Sequence, residues 1–494
     1  MIALHFPILQ IVVPLVAAPL CLLLRQRDLP WTVAAVATWA AFLLSWALYL
    51  EVREVGVISY ALGSWPAPWG IEYRVDSLNV YVLLVVSGVS AIVMPFARDS
   101  ILAEFGRDRD YLFYSAYLLA FSGLLGVTIT GDAFNLFVFL EISSIGTYIL
   151  IAVGRDKRAL VASFQYLIIG TTGATFIVIG VGFLYAMTGT LNMVDLVERV
   201  RPYGANPAIL VAYAFLVVGA SIKLALFPLH LWLPNAYMLA PSMVSAFLAA
   251  TATKVAMYVL LRFVFTVFGP EFSFETLRLG LPLAVLAIAG IFATSMVAIF
   301  QNDIKRMLAY SSVAQIGYMV LGASLNTVHG LAAGLMHLFN HALMKGALFC
   351  AVGCLVYRVG SSDVNAFAGA GRRMPWTMAA FCAGGLSLIG VPLTAGFISK
   401  WHLILAVIER GWWPLAALFV LSSMLAVIYI WRVVEPAYFR EPPPGAAGMA
   451  EAPVSLLVPT WILVLANIWF GIETSFNVDG AFAAARSLLE GYAP

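Results

Sequence analysis

The stretch Ser221-Ile-Lys-Leu-Ala-Leu-Phe-Pro-Leu-His-Leu-Trp-Leu-Pro234 decides the fold, because it places a lysine and two prolines inside an apolar run. The run extends over about 208–238, which is longer than the ~20 residues that a helix needs to cross a bilayer. Pro228 removes a helical hydrogen bond about one turn after Lys223, so the helix should kink or break there and free backbone carbonyls beside the lysine. The stretch therefore predicts a broken transmembrane helix that carries an ionisable group.

The composition of the whole chain is that of a membrane protein. Hydrophobic residues make up 62% of the 494 residues and charged residues 11%, and the mean hydropathy is +0.95. A soluble globular domain carries roughly 25% charged residues, so that class is excluded. No run of like charges indicates a nucleic-acid tail. The first apolar stretch has its arginines after it rather than before it, which predicts a first transmembrane helix and not a cleaved signal.

Hydropathy predicts an all-α integral membrane protein with about fourteen transmembrane helices. The predicted spans are 7–25, 32–50, 75–96, 111–130, 133–153, 160–187, 208–238, 243–268, 279–300, 304–324, 328–357, 375–408, 413–438 and 454–472. If the N-terminus lies outside, the boundary arginines and lysines favour the inner side by about two to one. This bias predicts an even number of spans with both termini on the outer side.

The twelfth span repeats the pattern of the seventh. It contains Gly390-Val-Pro392 and then Lys400, five spans after the first broken helix. Two Gly/Pro-interrupted spans in corresponding positions predict an internally repeated transporter with sites near the middle of the membrane. Because each unit has five spans, the two repeats should be inverted. The predicted units are 1-110 for helices 1–3, 111-268 for the first repeat, 269-440 for the second repeat, and 441-494 for helix 14 and the tail.

Lysine and arginine are sorted differently along the chain. Four of the six lysines fall inside predicted spans, namely Lys223, Lys254, Lys345 and Lys400, whereas the arginines stay near the boundaries. Arginine cannot be deprotonated in a protein, while a desolvated lysine can shift its pKa towards neutrality, so proton carriers are expected to be sorted in this way. Glu141 is the acidic residue that is predicted deep in a span. A lone carboxylate is costly there, so we expect one of these lysines to pair with it.

The eleventh span carries a histidine stripe that ends in Lys345. His329, His337 and His341 are spaced by eight and four residues, which places them along one helical face. Histidine titrates near physiological pH, so the stripe predicts proton transfer. A zinc site at the last two histidines is the alternative, but the face offers no third ligand, and we expect no metal. Two further histidines lie beside the broken-helix lysines and extend the predicted line: His230 and His402.

Two runs carry a resemblance to a known family. They are Asp132-Ala-Phe-Asn-Leu-Phe-Val-Phe-Leu-Glu141 and the segment from Lys223 to Lys254, which includes Ala240-Pro-Ser-Met-Val-Ser-Ala. They resemble the antiporter-like membrane subunits of respiratory complex I, membrane-bound hydrogenases and Mrp-type multisubunit cation/proton antiporters. The resemblance covers nearly the whole chain. It implies a fourteen-helix core with two inverted five-helix repeats, broken helices 7 and 12, and a central axis of charged residues.

The resemblance also implies roles for individual residues. The helix-5 glutamate, helix-7 lysine, helix-8 bridging lysine and helix-12 terminal residue of the family match Glu141, Lys223, Lys254 and Lys400. His329 and His337 fall in the helix-11 region that supplies the bridging histidine, and Lys345 could share that part. The helix breaks predicted from the sequence pattern lie at Pro228 and Pro392.

The residue at the helix-12 position and the short segment after helix 14 favour the D-type subunit of Mrp antiporters. The alternative is a proton-pumping subunit of NADH:quinone oxidoreductase or of a membrane-bound hydrogenase. Hard cations prefer several oxygen ligands, whereas this line is rich in nitrogen. We therefore expect protons to travel here and any Na⁺ path to lie elsewhere in the complex. A membrane-embedded transferase is less favoured, because no cofactor fingerprint or acidic metal-binding loop is found.

The expected partners are other membrane subunits of a multisubunit complex and the lipid bilayer, with no nucleic acid. The expected location is the bacterial or archaeal cell (inner) membrane. We expect no cofactor and no catalytic chemistry of the chain's own, although it could form part of a redox-driven pump.

Overall fold

The computed structural model describes residues 3–442 and 449–490, so parts of the predicted unit 441-494 and both chain ends lie outside the described residues. Most of the described chain is helical. The α-helices, in chain order, are α1 (Phe6–Leu23), α2 (Leu29–Val55), α3 (Ser77–Glu104), α4 (Asp110–Ile129), α5 (Ala133–Ala152), α6 (Arg158–Thr188), α7 (Met193–Val200), α8 (Pro207–Leu224), α9 (Trp232–Leu239), α10 (Ser242–Leu261), α11 (Gly280–Ile299), α12 (Ile304–Ser324), α13 (Val328–Val359), α14 (Ala370–Arg373), α15 (Pro375–Ile389), α16 (Ala395–Glu409), α17 (Trp413–Phe439), α18 (Val454–Ile472) and α19 (Ser475–Leu489).

Twelve helices of the described chain are long and apolar enough to cross a membrane. They are α1 to α6, α8, α10 with a π-helical extension, α11, α13, α17 and α18. The two remaining predicted spans correspond to α12, which has Lys305 and Arg306 in its first turn, and to the pair α15 and α16. The prediction of an all-α membrane protein with fourteen spans is therefore confirmed.

Helices 7 and 12 are each broken. Helix 7 consists of α8 and α9, with Pro228 in the seven-residue connection between them. The indole Nε1 of Trp232 donates to the Ile222 carbonyl at 3.0 Å, which also accepts from the Ala225 N–H, so a side chain of α9 ties it to the last turn of α8 across the break. Helix 12 consists of α15 and α16, and the connection contains Gly390, at a left-handed φ of 92°, and Pro392. Both breaks stand where the prolines predicted them.

Two corners of the chain, meaning the turns that lead into α5 and α12, support the inverted repeats. Asp132 caps α5 and Asp303 caps α12, and each accepts a hydrogen bond from the backbone N–H three residues later, at 2.7 and 2.8 Å. Each aspartate also forms an isolated backbone bridge to the segment that follows the next long helix, at Asn192 and at Asp363. These are helices 5 and 10, so the two corners lie five spans apart and at opposite membrane faces. The limits of the two repeats stay predictions.

Three smaller elements lie where only connections or a tail were predicted. Between α2 and α3, β1 (Ile58–Ala61) pairs antiparallel with β2 (Glu72–Val75). Helix α7 follows α6, and α19 follows α18. The α19 residue Asn477 is buried and donates to Asn340 of α13 at 2.7 Å, while Tyr81 of α3 donates to it at 2.5 Å. This helix is therefore part of the packed structure.

Arg262, near the end of the eighth predicted span, is buried inside the protein. The residue is 2% exposed. Its Nη2 lies 2.6 Å from the carboxylate Oδ1 of Asp76, which also caps the N-terminus of α3. The ion pair joins the start of α3 to the end of α10. A hydropathy window cannot detect it, because the two partners lie 186 residues apart.

Candidate functional site

The expected cationic partner of Glu141 is Lys223. Glu141 lies on α5 and Lys223 in the last turn of α8, and Nζ is 3.3 Å from the carboxylate Oε1. The ammonium also donates to Ser144 Oγ at 2.8 Å. The lysine side chain is 4% exposed and the glutamate side chain 24% exposed. The carboxylate therefore stabilises a charge that the surrounding apolar helices would otherwise disfavour.

Lys254 is fully buried near the middle of α10. Its Nζ donates to the Ala249 carbonyl of the same helix and reaches Thr253 Oγ1 at 3.4 Å. No carboxylate of the described chain pairs with it. Among the described residues no hydrogen bond joins Lys254 to Lys223, so a proton has no direct hydrogen-bonded route between the two side chains in this conformation.

Two stacked histidines of α13 lie next in the line. The rings of His337 and His341 have centroids 6.1 Å apart and are nearly parallel. His337 is hydrogen-bonded at both nitrogens, to Ser399 Oγ at 3.0 Å and to Gln315 Oε1 at 2.9 Å. His341 is fully buried, and neither of its nitrogens has a partner among the described residues. A neutral imidazole in that position has one nitrogen free to accept a proton and the other free to donate one.

Lys345 continues the same stripe one turn further along α13. Its Nζ donates to the Leu308 carbonyl at 2.8 Å and to Ser311 Oγ at 2.5 Å, both on α12. Lys254 lies within electrostatic range of Lys345 and of both stacked histidines. The structure thus gathers α10, α12 and α13 around one cluster of fully buried titratable groups.

Lys400 lies at the helix-12 break. Its Nζ donates to the carbonyls of Leu388 and Ile389, at 3.0 and 2.9 Å, and to Ser423 Oγ at 3.1 Å. These two carbonyls belong to the last turn of α15, which has no following turn to satisfy them because the helix stops before Pro392. The freed carbonyls expected beside a broken-helix lysine are thus found around Lys400. Electrostatically, this lysine is within range of His337.

His329 lies apart from the other histidines of the stripe. It occupies the first turn of α13, where its Nδ1 is 2.9 Å from the Glu409 carboxylate and its Nε2 is 3.1 Å from His402 Nδ1. The spacing of eight residues put it on the face of His337, but two helical turns separate the rings along the axis. His230 is buried, stacks on Phe227, and shares no hydrogen bond with Lys223 in the described structure.

Lys305, like Arg262, is a buried cation that the sequence did not single out. It is 4% exposed and donates to the Ala240 carbonyl at 2.8 Å. That carbonyl ends α9, the second half of broken helix 7. Lys305 also lines a polar cavity of about 280 Å³ together with Glu104 and Asp303. The burial of Lys305 could not be recognised from the sequence, because a charge in the first turn of a helix normally faces water.

The cluster offers little to a metal ion. In the described ranges, no group of three or more His, Cys, Asp and Glu side chains is placed to hold one. The described lysines of the line are instead surrounded by carbonyls and hydroxyls, which accept hydrogen bonds from an ammonium. The arrangement can hold, accept and release protons at several buried sites.

Comparison with known proteins places these features in a family. Residues 130–426 match the family model described as NADH:quinone oxidoreductase/Mrp antiporter, TM. The chain is 43% identical over 492 residues to an NADH-quinone oxidoreductase subunit N of Desulforudis audaxviator, covering 95% of this chain and 96% of the relative. It is 32% identical to the D-type subunit of a Na⁺/H⁺ antiporter of Alkalihalophilus pseudofirmus over 437 residues, covering 88% and 87%.

Solved structures agree on the fold. A chain of the Mrp complex from Dietzia sp. superposes with a TM-score of 0.89 at 24% identity, covering 99% of this chain and 98% of that chain. A chain of the membrane-bound sulfane sulfur reductase, an archaeal respiratory membrane complex, gives a TM-score of 0.89 at 29% identity, covering 98% and 97%. Both superpositions cover nearly the whole chain, and with it the two broken helices and the described members of the buried line.

Proposed function

Since the chain belongs to the NADH:quinone oxidoreductase/Mrp antiporter family of membrane subunits, we propose that it is a proton-translocating, antiporter-like subunit of a multisubunit membrane complex. The observation that carries the proposal is the set of buried lysines, of which Lys223 alone among the described ones has a carboxylate partner. A chain that needed only structural cations would pair them. Lysines held by carbonyls and hydroxyls can gain and lose a proton without leaving an unpaired carboxylate behind.

The mechanism follows from this difference between Lys223, which has a carboxylate partner, and the other described buried lysines, which have none. Glu141 stabilises the protonated form of Lys223. When the pair separates, the ammonium is left desolvated and releases its proton towards Lys254, because burial disfavours an unpaired charge. The stacked pair His337 and His341 then carries the proton along α13, since an imidazole can accept at one nitrogen and donate at the other.

Lys400 is the last member of the proposed path. It receives the proton from the side of His337 and passes it to one membrane face. The moving elements are the two breaks, at Pro228 and Pro392, where a few loop residues absorb the change in backbone geometry. Lys345 belongs to the same cluster but lies beside the proposed path. Its Nζ is hydrogen-bonded to α12 and not to a broken helix.

Lys223 provides the direct test. Lys223→Ala should abolish proton-coupled transport by the assembled complex in inverted vesicles, measured with a pH-sensitive dye. Lys223→Arg should fail as well, because arginine does not release a proton at any attainable pH. Lys157→Ala is the matched control, since Lys157 is exposed in a short connection. Transport near the wild-type rate in the Lys223→Ala variant would contradict the proposal.

We place the subunit in an Mrp-type cation/proton antiporter, as its D-type subunit, and a redox-driven proton pump is the second candidate. The second candidate is favoured by the 43% identity to a subunit N of an NADH-quinone oxidoreductase. Purification of the native complex separates the two. Small antiporter subunits that co-purify support the first, whereas iron–sulfur or quinone-site subunits support the second.

Any Na⁺ path should lie outside this line. Among its described members the line has one carboxylate, that of Glu141, and its other titratable side chains carry nitrogen, whereas hard cations prefer several oxygen ligands. Sodium-dependent protection of this subunit alone, measured by hydrogen exchange, would count against protons as its cargo.

The proposed orientation has both termini on the outer side of the bacterial or archaeal cell membrane. It rests on the bias of boundary arginines and lysines towards the other side. Cysteines introduced at Tyr203 and Asp156, which precede α8 and α6, test it with a membrane-impermeant thiol reagent. In intact cells, Tyr203→Cys should be labelled and Asp156→Cys protected, and the reverse pattern would invert the topology.

A further inference from the structure

A groove runs down the surface between α2, α3, α13 and α18. Its deep part is an apolar cavity of about 390 Å³, lined by Phe42 and Trp46 of α2, by Phe339 of α13 and by Trp469 of α18. A second cavity of about 430 Å³ adjoins it at the ends of α2 and α3. Phe476 of α19 lines both cavities, so the two adjoin; we call them together the groove, with the first cavity as its apolar floor and the second as its mouth.

The mouth carries one positive and one negative side chain. Arg53, in the last turn of α2, and Asp479 of α19 both line it. No ion pair in the described part of the chain includes either of them. The Arg53 guanidinium instead lies 5.7 Å from the ring centroid of Tyr49. Two opposite charges that share a cavity without pairing are suited to a ligand that is itself zwitterionic.

The dimensions of the groove match one lipid leaflet. Arg53 and Phe42 are eleven residues apart on α2, which is about 16 Å along a helix, and half of a typical hydrocarbon core is about 15 Å. An occupant whose charged group sits at Arg53 would therefore extend its apolar part to the middle of the bilayer. Trp46 and Tyr49 lie between these levels, as aromatic residues do at membrane interfaces.

The deep cavity is long and apolar. It follows α3 from Leu84 to Ile92, a rise of about 12 Å, and aromatic and aliphatic side chains line it. An extended acyl chain is apolar along its whole length, so it matches this lining.

We propose that this groove binds one phospholipid of the phosphatidylethanolamine class. The acyl chain lies against Trp46 and Phe339, the phosphate accepts hydrogen bonds from Arg53, and the primary ammonium donates to Asp479. Charge-assisted hydrogen bonds of both signs explain the preference for this headgroup. A phosphatidylglycerol has no cationic group to pair with Asp479, and a choline has no N–H to donate. The site is separate from the proton path and does not depend on it.

Native mass spectrometry of the full chain in detergent tests the site. With the purified protein at equal micromolar additions of phosphatidylethanolamine, phosphatidylglycerol or phosphatidylcholine, we expect one tightly retained phosphatidylethanolamine. Arg53→Gln and Asp479→Asn should each weaken its retention about tenfold, the scale of one charge-assisted hydrogen bond. Arg201→Gln, at another exposed arginine, is the matched control and should leave retention unchanged.

A second variant separates the tail from the headgroup. Ala466→Trp fills the apolar floor from the half-exposed face of α18, so it should reduce retention of all three lipids while the protein remains folded. Equal retention of the three lipids by the wild-type protein would overturn the proposal. So would unchanged retention of phosphatidylethanolamine in both charge variants.

Discussion

The pairing of Glu141 with Lys223 makes a quantitative prediction for the variant Glu141→Gln. The two charged atoms are 3.3 Å apart, so their attraction is about 5 kcal/mol at an effective dielectric constant of 20 and about 1 kcal/mol in water. Because a quarter of the glutamate side chain is exposed, we take about 2–3 kcal/mol as the pairing energy. The neutral amide loses this energy and leaves a buried ammonium without its counter-charge.

A double-mutant cycle isolates the pairing energy. The variants Glu141→Gln, Lys223→Met and the two combined would be compared by their thermal unfolding midpoints in detergent. Because the lysine side chain is the more buried of the two, Glu141→Gln should destabilise more than Lys223→Met. The combined variant should be less destabilised than the sum of the two, since it removes both charges. Glu198→Gln, at an exposed glutamate of α7, controls for the loss of a carboxylate.

The same variants connect stability with transport. Glu141→Gln should slow proton-coupled transport by the assembled complex at least tenfold, because the lysine loses the group that holds its proton. Additive effects, within about 0.5 kcal/mol, would show that the two residues act independently. Additivity together with wild-type transport in Glu141→Gln would refute the reasoning.

Two further predictions follow from the helix-12 break and from the histidines. Gly396→Ala should lower the thermal midpoint by several degrees, because its Cβ would overlap the backbone carbonyl of Ser387, whereas Gly182→Ala should not, since nothing lies within 4 Å of the added carbon. His341→Gln should abolish transport, while His329→Gln, outside the buried cluster, should keep most of it. Equal losses in the two histidine variants would show that the first turn of α13 also carries protons.

The sequence predicted the features that depend on neighbouring residues. Hydropathy over ~20 residues locates the spans, and Pro228 and Pro392 locate the breaks, because both effects act within a few turns of the same segment. The buried lysines were recognised for the same reason, since a charge inside an apolar window stands out. Lys305 escaped recognition because it lies in the first turn of α12, where a charge looks ordinary.

The contacts between distant segments could not be predicted in this way. The Asp76–Arg262 ion pair joins residues 186 positions apart, and α19 is held by Asn477 against α3 and α13. Neither arrangement leaves a periodic signal in the sequence. The helix α19, which follows helix 14, was not predicted because it is short and less hydrophobic than the membrane-spanning helices.

By itself, then, the sequence determined that this protein spans the membrane, where its helices break, and which lysines lie inside the apolar spans. Only the tertiary structure decided which of those groups meet. In the structure Lys223 pairs with Glu141, and Lys400 donates to the free carbonyls at the end of α15. His329 contacts Glu409 and lies away from His337. The reason is physical: burial is a property of a segment, whereas the partner of a buried charge depends on how helices far apart in the chain pack together.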